Sequence, residues 1–233
     1  MKYPIFETFH TFQGEGVFMG MRAFFIRLYG CPIHCHWCDS AGTWHPEYTP
    51  EHIHRKTADE LVKEVVESGS YLVVLTGGEP AIHNLTELVD RLHERSIGVN
   101  VETSGAFSIK GDVDWVTLSP KRGKEPLEET ILKADEFKFI IEAPEDIEFY
   151  TQTIIEKTSP GLNLSETPIW LHPEWSHRND PAVLQAICQA VKSCHPEIVY
   201  RAGYQLHKLF QVDVLDKRSR ELVPLGGDSK KGN

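Results

Sequence analysis

The stretch Ala23-Phe-Phe-Ile-Arg-Leu-Tyr29-Gly-Cys31-Pro-Ile-His-Cys35-His-Trp-Cys38 joins an apolar segment of strand length to a loop that holds three cysteines. Thiolates at this spacing can bind one metal group together, and no fourth cysteine lies near them in the sequence. A 4Fe-4S cluster is normally held by four cysteines, so a cluster bound here would keep one iron open to a small molecule. The loop therefore indicates a catalytic cluster.

Two other uses of the cysteines stay open at this point. Three thiolates with His34 or His36 could form a tetrahedral Cys3His zinc site in a non-catalytic interaction module. A disulfide framework is a poorer match, because the chain has only five cysteines among its 233 residues and does not begin with a signal peptide. We interpret Cys188 and Cys194, in an amphipathic helical stretch, as ordinary thiols.

Composition favours one domain that acts on a small molecule. A chain of 233 residues is long enough for one substantial core. A formal net charge of −10 disfavours nucleic acid as a partner, and we interpret the basic residues at 217–220 and 230–231 as a solvated tail. No apolar run approaches the roughly 18 residues that span a bilayer, so we expect no membrane contact and a cytoplasmic location, where thiols stay reduced.

Helical and strand patterns alternate after the cysteine loop. Thr57 and Glu60 form a capping box that begins a helix, and Asp180 with Pro181 begins another. Residues 44–56 have no regular period and are interpreted as an exposed excursion. Strands are predicted at 23–29, 71–75, 98–101, 115–118, 137–141, 169–171 and 198–200.

This alternation predicts the α/β fold class, as a partial, open TIM-like barrel of about six parallel strands with helices outside. We assign residues 1–209 to the barrel domain and residues 210–233 to a C-terminal extension. The extension is expected to form a short hairpin, followed by a disordered, Gly-rich tail.

Polar residues gather where the predicted strands end, which is where parallel barrels place their active sites. Arg27, inside an apolar strand, needs an anionic partner: a substrate carboxylate, Glu15 or Glu102. Asp39 and Ser40 could supply oxygen ligands to Mg2+, although both are also common turn residues. The strand-end segments are Gly30-Cys31, Thr76-Gly-Gly-Glu-Pro80, Glu102-Thr-Ser-Gly105, Ser119-Pro-Lys121 and His172-Pro-Glu174, and Lys138 lies within its strand.

The cysteine spacing, followed by a Gly-Gly-Glu segment, resembles the signature of the radical S-adenosylmethionine (SAM) superfamily. In that superfamily the open iron chelates SAM and supplies the electron that cleaves it. Several segments together resemble the 7-carboxy-7-deazaguanine synthase (QueE) family as far as Lys138. They are Phe12-Gln-Gly-Glu-Gly16, Phe25-Ile-Arg27, Gly30-Cys-Pro32, Cys35-His-Trp-Cys-Asp39, Thr76-Gly-Gly-Glu-Pro80, Glu102-Thr-Ser-Gly105 and Ser119-Pro-Lys121.

The resemblance implies a lyase that converts 6-carboxy-5,6,7,8-tetrahydropterin into 7-carboxy-7-deazaguanine with loss of ammonia, in queuosine or other 7-deazapurine biosynthesis. It also implies a 4Fe-4S cluster, SAM and Mg2+ as cofactors, a homodimer, and a flavodoxin-type reductant. Another radical SAM enzyme, such as a glycyl-radical activase, is the alternative within the superfamily. An activase would need a broad protein-docking surface.

The resemblance also implies residue roles. Cys31, Cys35 and Cys38 would hold the cluster, and Ser40 would ligate Mg2+. Residues around SAM would be Trp37, Asp39, Gly78, Glu79, Ser119, Pro120, Lys121, His172 and Trp175. Residues around the pterin would be Phe12, Gln13, Gly14, Arg27, Thr76, Glu102 and His207. Relatives usually end soon after the position of His207, whereas this chain continues for 26 residues.

Overall fold

A nine-stranded sheet organises the computed structural model, which describes residues 1–158, 163–193 and 197–212. Its strands are β1 (Lys2–Phe12), β2 (Arg22–Leu28), β3 (His54–Thr57), β4 (Leu72–Gly77), β5 (Gly98–Thr103), β6 (Trp115–Leu118), β7 (Glu136–Ile141), β8 (Ile169–Pro173) and β9 (Tyr200–Ala202). The helices are α1 (Ala58–Ser68), α2 (Thr86–His93), α3 (Glu128–Ile131), α4 (Asp146–Thr158), α5 (Pro181–Lys192) and α6 (Leu206–Leu209). Short 3-10 turns occupy Ala41–Thr43, Pro80–Ile82 and Trp175–His177.

The strand order confirms the predicted open barrel. It runs β3-β1-β2-β4-β5-β6-β7-β8-β9, with β3 and β9 at opposite edges. In this order, every neighbouring pair from β2-β4 to β8-β9 is parallel. The edge formed by β1 and β3 is antiparallel. Helices between the parallel strands provide the crossovers that such pairing requires.

The two faces of the sheet differ in polarity. On β5, Val99 and Val101 join the main apolar core, whereas Asn100 and Glu102 occupy the alternate positions. On β7, Phe139 lies in that core and Lys138 takes the alternate position. Successive strand residues point to opposite faces, so one face packs against the helices and the other lines a polar interior.

Helix α1 begins as its sequence predicts. The Glu60 backbone N–H donates to Thr57 Oγ1 at 3.2 Å, and the Thr57 backbone N–H donates to Glu60 Oε2 at 2.7 Å. Helix α5 likewise begins after Asp180, whose carboxylate accepts from the Ala182 N–H at 2.8 Å. None of the helices within the described residues is long and apolar enough to cross a bilayer.

The edges of the sheet differ from the prediction. The antiparallel strand β1 was not predicted, and β3 lies partly inside the segment 44–56 that was interpreted as irregular. The last strand begins at Tyr200, where the sequence predicted 198–200. The predicted C-terminal hairpin and tail at 213–233 lie outside the described residues. Phe210, the first residue assigned to the extension, packs edge-on against Phe12 with ring centroids 5.5 Å apart.

Replacing Thr57 with Ala should lower the free energy of unfolding by about 1 kcal/mol, because α1 loses a side-chain acceptor for an N–H of its first turn. Urea denaturation of the protein without cofactors measures the change. Lys63→Ala, at an exposed position of the same helix, is the control and should change stability by less than about 0.5 kcal/mol. Equal effects of the two substitutions would contradict a capping role.

Candidate active site

A cleft opens where the carboxyl ends of the parallel strands meet the cysteine loop. Cofactor-side and substrate-side residues predicted from the sequence line this one cleft. On the cofactor side they are Cys31, Cys35, Trp37, Cys38, Asp39, Ser40, Gly78, Glu79, Ser119, Lys121 and Trp175. On the substrate side they are Phe12, Gln13, Gly14, Arg27, Thr76, Glu102 and His207.

The structure departs from the prediction at Pro120 and His172, which do not line the cleft. Pro120 is buried behind its neighbours Ser119 and Lys121. The His172 ring is fully buried and lies directly against the backbone of Gly203, where a β-carbon would overlap it. Burial lowers the pKa of His172 to about 4. His172 therefore does not line the cleft, and its contact with SAM stays a prediction.

The cysteine loop holds its three half-buried thiols on one short turn. The Cys38 N–H donates to the Cys35 carbonyl at 3.2 Å. His34 has φ +60°, an uncommon conformation for a residue other than glycine, and its ring stacks on Trp44 with centroids 4.3 Å apart. This stacking holds the loop in a conformation that its sequence alone would not favour.

The Gly-Gly-Glu segment packs directly against the cysteine loop. The Gly78 N–H donates to the Leu28 carbonyl at 2.9 Å, and the Glu79 N–H donates to the Gly30 carbonyl at 2.9 Å. A β-carbon on Gly78 would overlap the Gly30 carbonyl oxygen and would lie 3.2 Å from the β-carbon of Cys31. Glycine is therefore required at position 78 for the two loops to meet.

Hydrogen bonds to Glu79 link the carboxyl ends of β4 and β5. Its buried carboxylate accepts from the Ala81 N–H at 3.0 Å and from the hydroxyl of Thr103 at 2.5 Å. It also accepts from the Ser104 N–H at 2.9 Å and the Ser104 hydroxyl at 2.5 Å. These bonds occupy both carboxylate oxygens, so the geometry makes Glu79 a structural part of the cleft wall.

The thiols suit a positively charged metal group. Burial raises the pKa of Cys31 and Cys35, while Lys121 lowers both pKa values by a smaller amount. Burial, with the charge of Asp39 second, raises the pKa of Cys38 to about 12. Thiols buried in this way stay neutral unless a cation favours the thiolate.

The donor set fits a cluster better than a single ion. Among the described residues, no three His, Cys, Asp or Glu side chains come close enough together to hold one metal ion. A tetrahedral zinc site requires its ligands around a single atom, whereas a 4Fe-4S cluster spreads its cysteines over separate irons. Three cysteines on one short turn are therefore compatible with a cluster.

Basic and aromatic side chains surround the cysteine loop. Lys121 Nζ donates to the Ser119 carbonyl at 2.7 Å and lies 5.4 Å from the centre of the Trp37 ring. Trp37 Nε1 donates to Glu142 Oε2 at 2.9 Å. Lys208 Nζ lies 3.2 Å from Asp39 Oδ2. Burial would raise the pKa of Asp39, but Lys208 and other nearby cations hold it well below its usual range.

The substrate side centres on Glu102. Its Oε1 accepts from Gln13 Nε2 at 2.8 Å, and its Oε2 accepts from Lys138 Nζ at 3.2 Å. Thr76 Oγ1 lies 3.5 Å from the same Oε2. Lys138 also forms an ion pair with Glu15. Glu102 therefore lines the cleft and belongs to a buried group of charged side chains with Lys138 and Glu15.

Arg27 pairs with a carboxylate that the sequence did not single out. Its Nη1 donates to Glu7 Oε1 at 2.8 Å, so the prediction that Glu15 or Glu102 would be the protein partner is wrong. Strands β1 and β2 pair in register, which brings Glu7 opposite Arg27. A guanidinium has five N–H donors, so this pairing leaves Arg27 with further donors for the cleft that it lines.

The comparisons with known proteins agree with this geometry. Residues 25–147 match the model of the Radical SAM superfamily. A 7-carboxy-7-deazaguanine synthase from Synechocystis is 43% identical over 175 residues, covering 75% of this chain and 79% of that protein. The synthase from Buchnera aphidicola is 35% identical and covers 91% of this chain and 100% of its own.

The chain belongs to the 7-carboxy-7-deazaguanine synthase family. A solved structure of QueE from Escherichia coli superposes with a TM-score of 0.74 at 32% identity, covering 89% of this chain and 95% of that one. The superfamily implies a 4Fe-4S cluster and SAM as cofactors. The match favours neither a zinc module nor a glycyl-radical activase.

Family motifs did not reveal every residue of the site. Lys138, noted from the sequence as a polar residue within its strand, was given no role there, and Lys208, which follows His207, was not predicted. Glu142 directly follows β7 and could have been found by the strand-end rule. The sequence suggested Glu15 as one possible partner for Arg27. Its actual partner, Lys138, is 123 residues away.

Gly78→Ala should greatly reduce cluster incorporation, because the added β-carbon overlaps the Gly30 carbonyl and pushes the cysteine loop aside. Iron and sulfide content after anaerobic reconstitution measures the effect. Gly98→Ala is the matched control, since the nearest atom to its β-carbon would be 3.6 Å away. Equal cluster content in the two variants would show that the loops need not touch.

Proposed function

We propose that this chain converts 6-carboxy-5,6,7,8-tetrahydropterin into 7-carboxy-7-deazaguanine with release of ammonia. The observation that carries the proposal is the shared cleft. The three-cysteine loop and the polar interior around Glu102 open into the same space. A substrate held by the interior would then lie beside SAM held at the loop. Family membership supports the same conclusion.

Cys31, Cys35 and Cys38 would hold the cluster. When bound, the cluster and SAM would supply the one-electron chemistry that removes a hydrogen atom from the substrate. Around SAM, Asp39 offers an ionised carboxylate to an amino group, and Lys121 offers an ammonium to a carboxylate. Gly78, Ser119, Trp37 and Trp175 would form the walls, with Pro120 and Glu79 supporting them from behind.

The polar interior suits the pterin. The carboxylate of Glu102 can accept paired N–H bonds from a guanidine-like ring edge, with Gln13 and Thr76 beside it. Arg27 offers donors to the substrate carboxylate. His207 also lines this side, and its ring contacts the backbone at Gly14. Phe12 completes the apolar edge of the site.

Further expectations rest on the family resemblance. They are a homodimer, a flavodoxin-type reductant, a cytoplasmic location and an Mg2+ ion at Ser40. The Ser40 hydroxyl lies in the cleft and donates to Asp39 Oδ1 at 3.2 Å, which places two kinds of oxygen ligand together. Magnesium prefers such oxygen ligands and usually keeps several waters.

Reconstituted protein supplied anaerobically with the pterin, SAM, Mg2+ and dithionite should release 7-carboxy-7-deazaguanine, measured by mass spectrometry. Cys35→Ala should abolish both product formation and SAM cleavage, because a cluster ligand is lost. Cys188→Ala removes an exposed thiol outside the cleft and should retain both. SAM cleavage without product would refute the proposed substrate assignment. No SAM cleavage by protein with an intact cluster would refute the radical chemistry as well.

Ser40→Ala should raise the Mg2+ concentration that gives half-maximal activity by about tenfold or more, because an oxygen ligand is removed. Ser40→Thr keeps the hydroxyl and is the matched control. Steady-state rates over a range of Mg2+ concentrations measure the shift. The same Mg2+ requirement in both variants would place the ion elsewhere.

A further inference from the structure

Two carboxylates share one ammonium on the substrate side of the cleft. We call Glu15, Lys138 and Glu102 the buried ion cluster. Their side chains are 7%, 9% and 16% exposed, respectively. With all three ionised, the cluster carries one net negative charge. A charge buried to this extent is costly unless it is paired, so the arrangement requires the ammonium.

The two carboxylates have different surroundings. Glu102 extends from β5 and holds Gln13 and Thr76 on its remaining sides. Glu15 lies in the loop after β1, and its backbone N–H donates to the Gln13 side-chain oxygen at 3.2 Å. Gln13 thus contacts both members of the pair. All three charged side chains line the cleft, and Glu102 is the most exposed of them.

We propose that Lys138 and Glu15 are positioning residues for substrate recognition, with Lys138 holding the Glu102 carboxylate as an oriented acceptor for the guanidine-like edge of the pterin. Glu15 anchors the ammonium from the opposite side. The inference rests on the proposed function and assigns a positioning role, exerted through Glu102, to two residues that line the same cleft. It makes the charge of Lys138, rather than its shape, the property that matters.

Electrostatics in the region support this division of roles. Burial would raise the pKa of Glu15, but Lys138 lowers it well below its usual range. Burial would lower the pKa of Lys138, yet the two carboxylates raise it above its usual range. The other titratable or charged neighbours are His172, His207, Lys121, Glu136 and the acid Asp39, which lies in the field of Glu15.

These neighbours do not replace Lys138. Burial lowers the pKa values of His172 and His207, which favours neutral imidazoles near pH 7. Burial also lowers the pKa of Lys121, whose ammonium bonds to Ser119. Burial raises the pKa of Glu136, a further acid that brings no positive charge. Lys138 is therefore the cation that bonds directly to both carboxylates.

Lys138→Met keeps the length and the apolar stem of the side chain but removes the charge. Glu15 and Glu102 would then face each other unpaired, and two close carboxyls retain a shared proton to higher pH. A proton shared by the pair occupies Glu102 for part of the time, so affinity falls as the pH falls through the raised pKa of the pair. The expected loss levels off at about two- to threefold in Kd, because the bound ring edge keeps the one remaining proton on Glu15.

The test measures Kd for 6-carboxytetrahydropterin from pH 6 to pH 8.5 by calorimetry. Holoenzyme carrying cluster and SAM is used anaerobically without reductant, so that no turnover occurs. Lys133→Met, at an exposed lysine, is the matched control and should follow the wild-type profile. Lys138→Met should lose affinity by about two- to threefold toward low pH. Lys138→Met with Glu15→Gln should remove that pH dependence and regain affinity, because no like charge remains beside Glu102.

A pH-independent loss in Lys138→Met that Glu15→Gln does not rescue would overturn the inference and leave a purely structural role. Lys138→Arg gives a second measurement that does not depend on the folding of Lys138→Met. It keeps the charge and should keep the wild-type pH profile, so the same loss toward low pH there would also overturn the inference. Failure of the wild-type holoenzyme to bind the pterin would instead refute the proposed function, and the inference with it.

Discussion

The site depends on the close approach of two backbones, at Gly78 and Gly30. Their contact joins the end of β4 to the start of the cysteine loop, and the hydrogen bond from Glu79 to the Gly30 carbonyl strengthens it. Glu79 then ties the same corner to β5 through Thr103 and Ser104. The loop that holds the thiols is thereby fixed to two adjacent parallel strands, β4 and β5. A cluster site on a rigid support needs less reorganisation when the metal group is bound.

The polar interior has an energetic cost that the outer face offsets. Lys138, Glu15 and Glu136 are all buried, and a buried ion pair contributes little net stability after desolvation. Stability must come mainly from the apolar face, where residues such as Phe139 and Leu75 pack beneath the helices. The alternation along each strand thus separates two tasks. One face stabilises the fold, and the other holds charges where a ligand needs them.

The parts of the fold that follow from local pattern could be predicted from the sequence. The capping box at Thr57, the apolar parallel strands and the polar strand ends all lie where their patterns indicate. The parts set by distant pairing could not. Strand β1 mixes polar and apolar residues because it lies at the antiparallel edge, and its register decides that Arg27 meets Glu7. The position of His172 likewise depends on Gly203, which follows the last strand.

The segment around α6 connects elements from opposite ends of the chain. The Leu206 N–H donates to the Gly14 carbonyl at 3.1 Å, Lys208 pairs with Asp39, and Phe210 packs on Phe12. Chains fold as they are synthesised, with N-terminal parts first. The cysteine loop therefore leaves the ribosome long before the residues that complete the cleft around it. Assembly of this site has an order, in which the metal-binding turn exists early and its enclosure comes last.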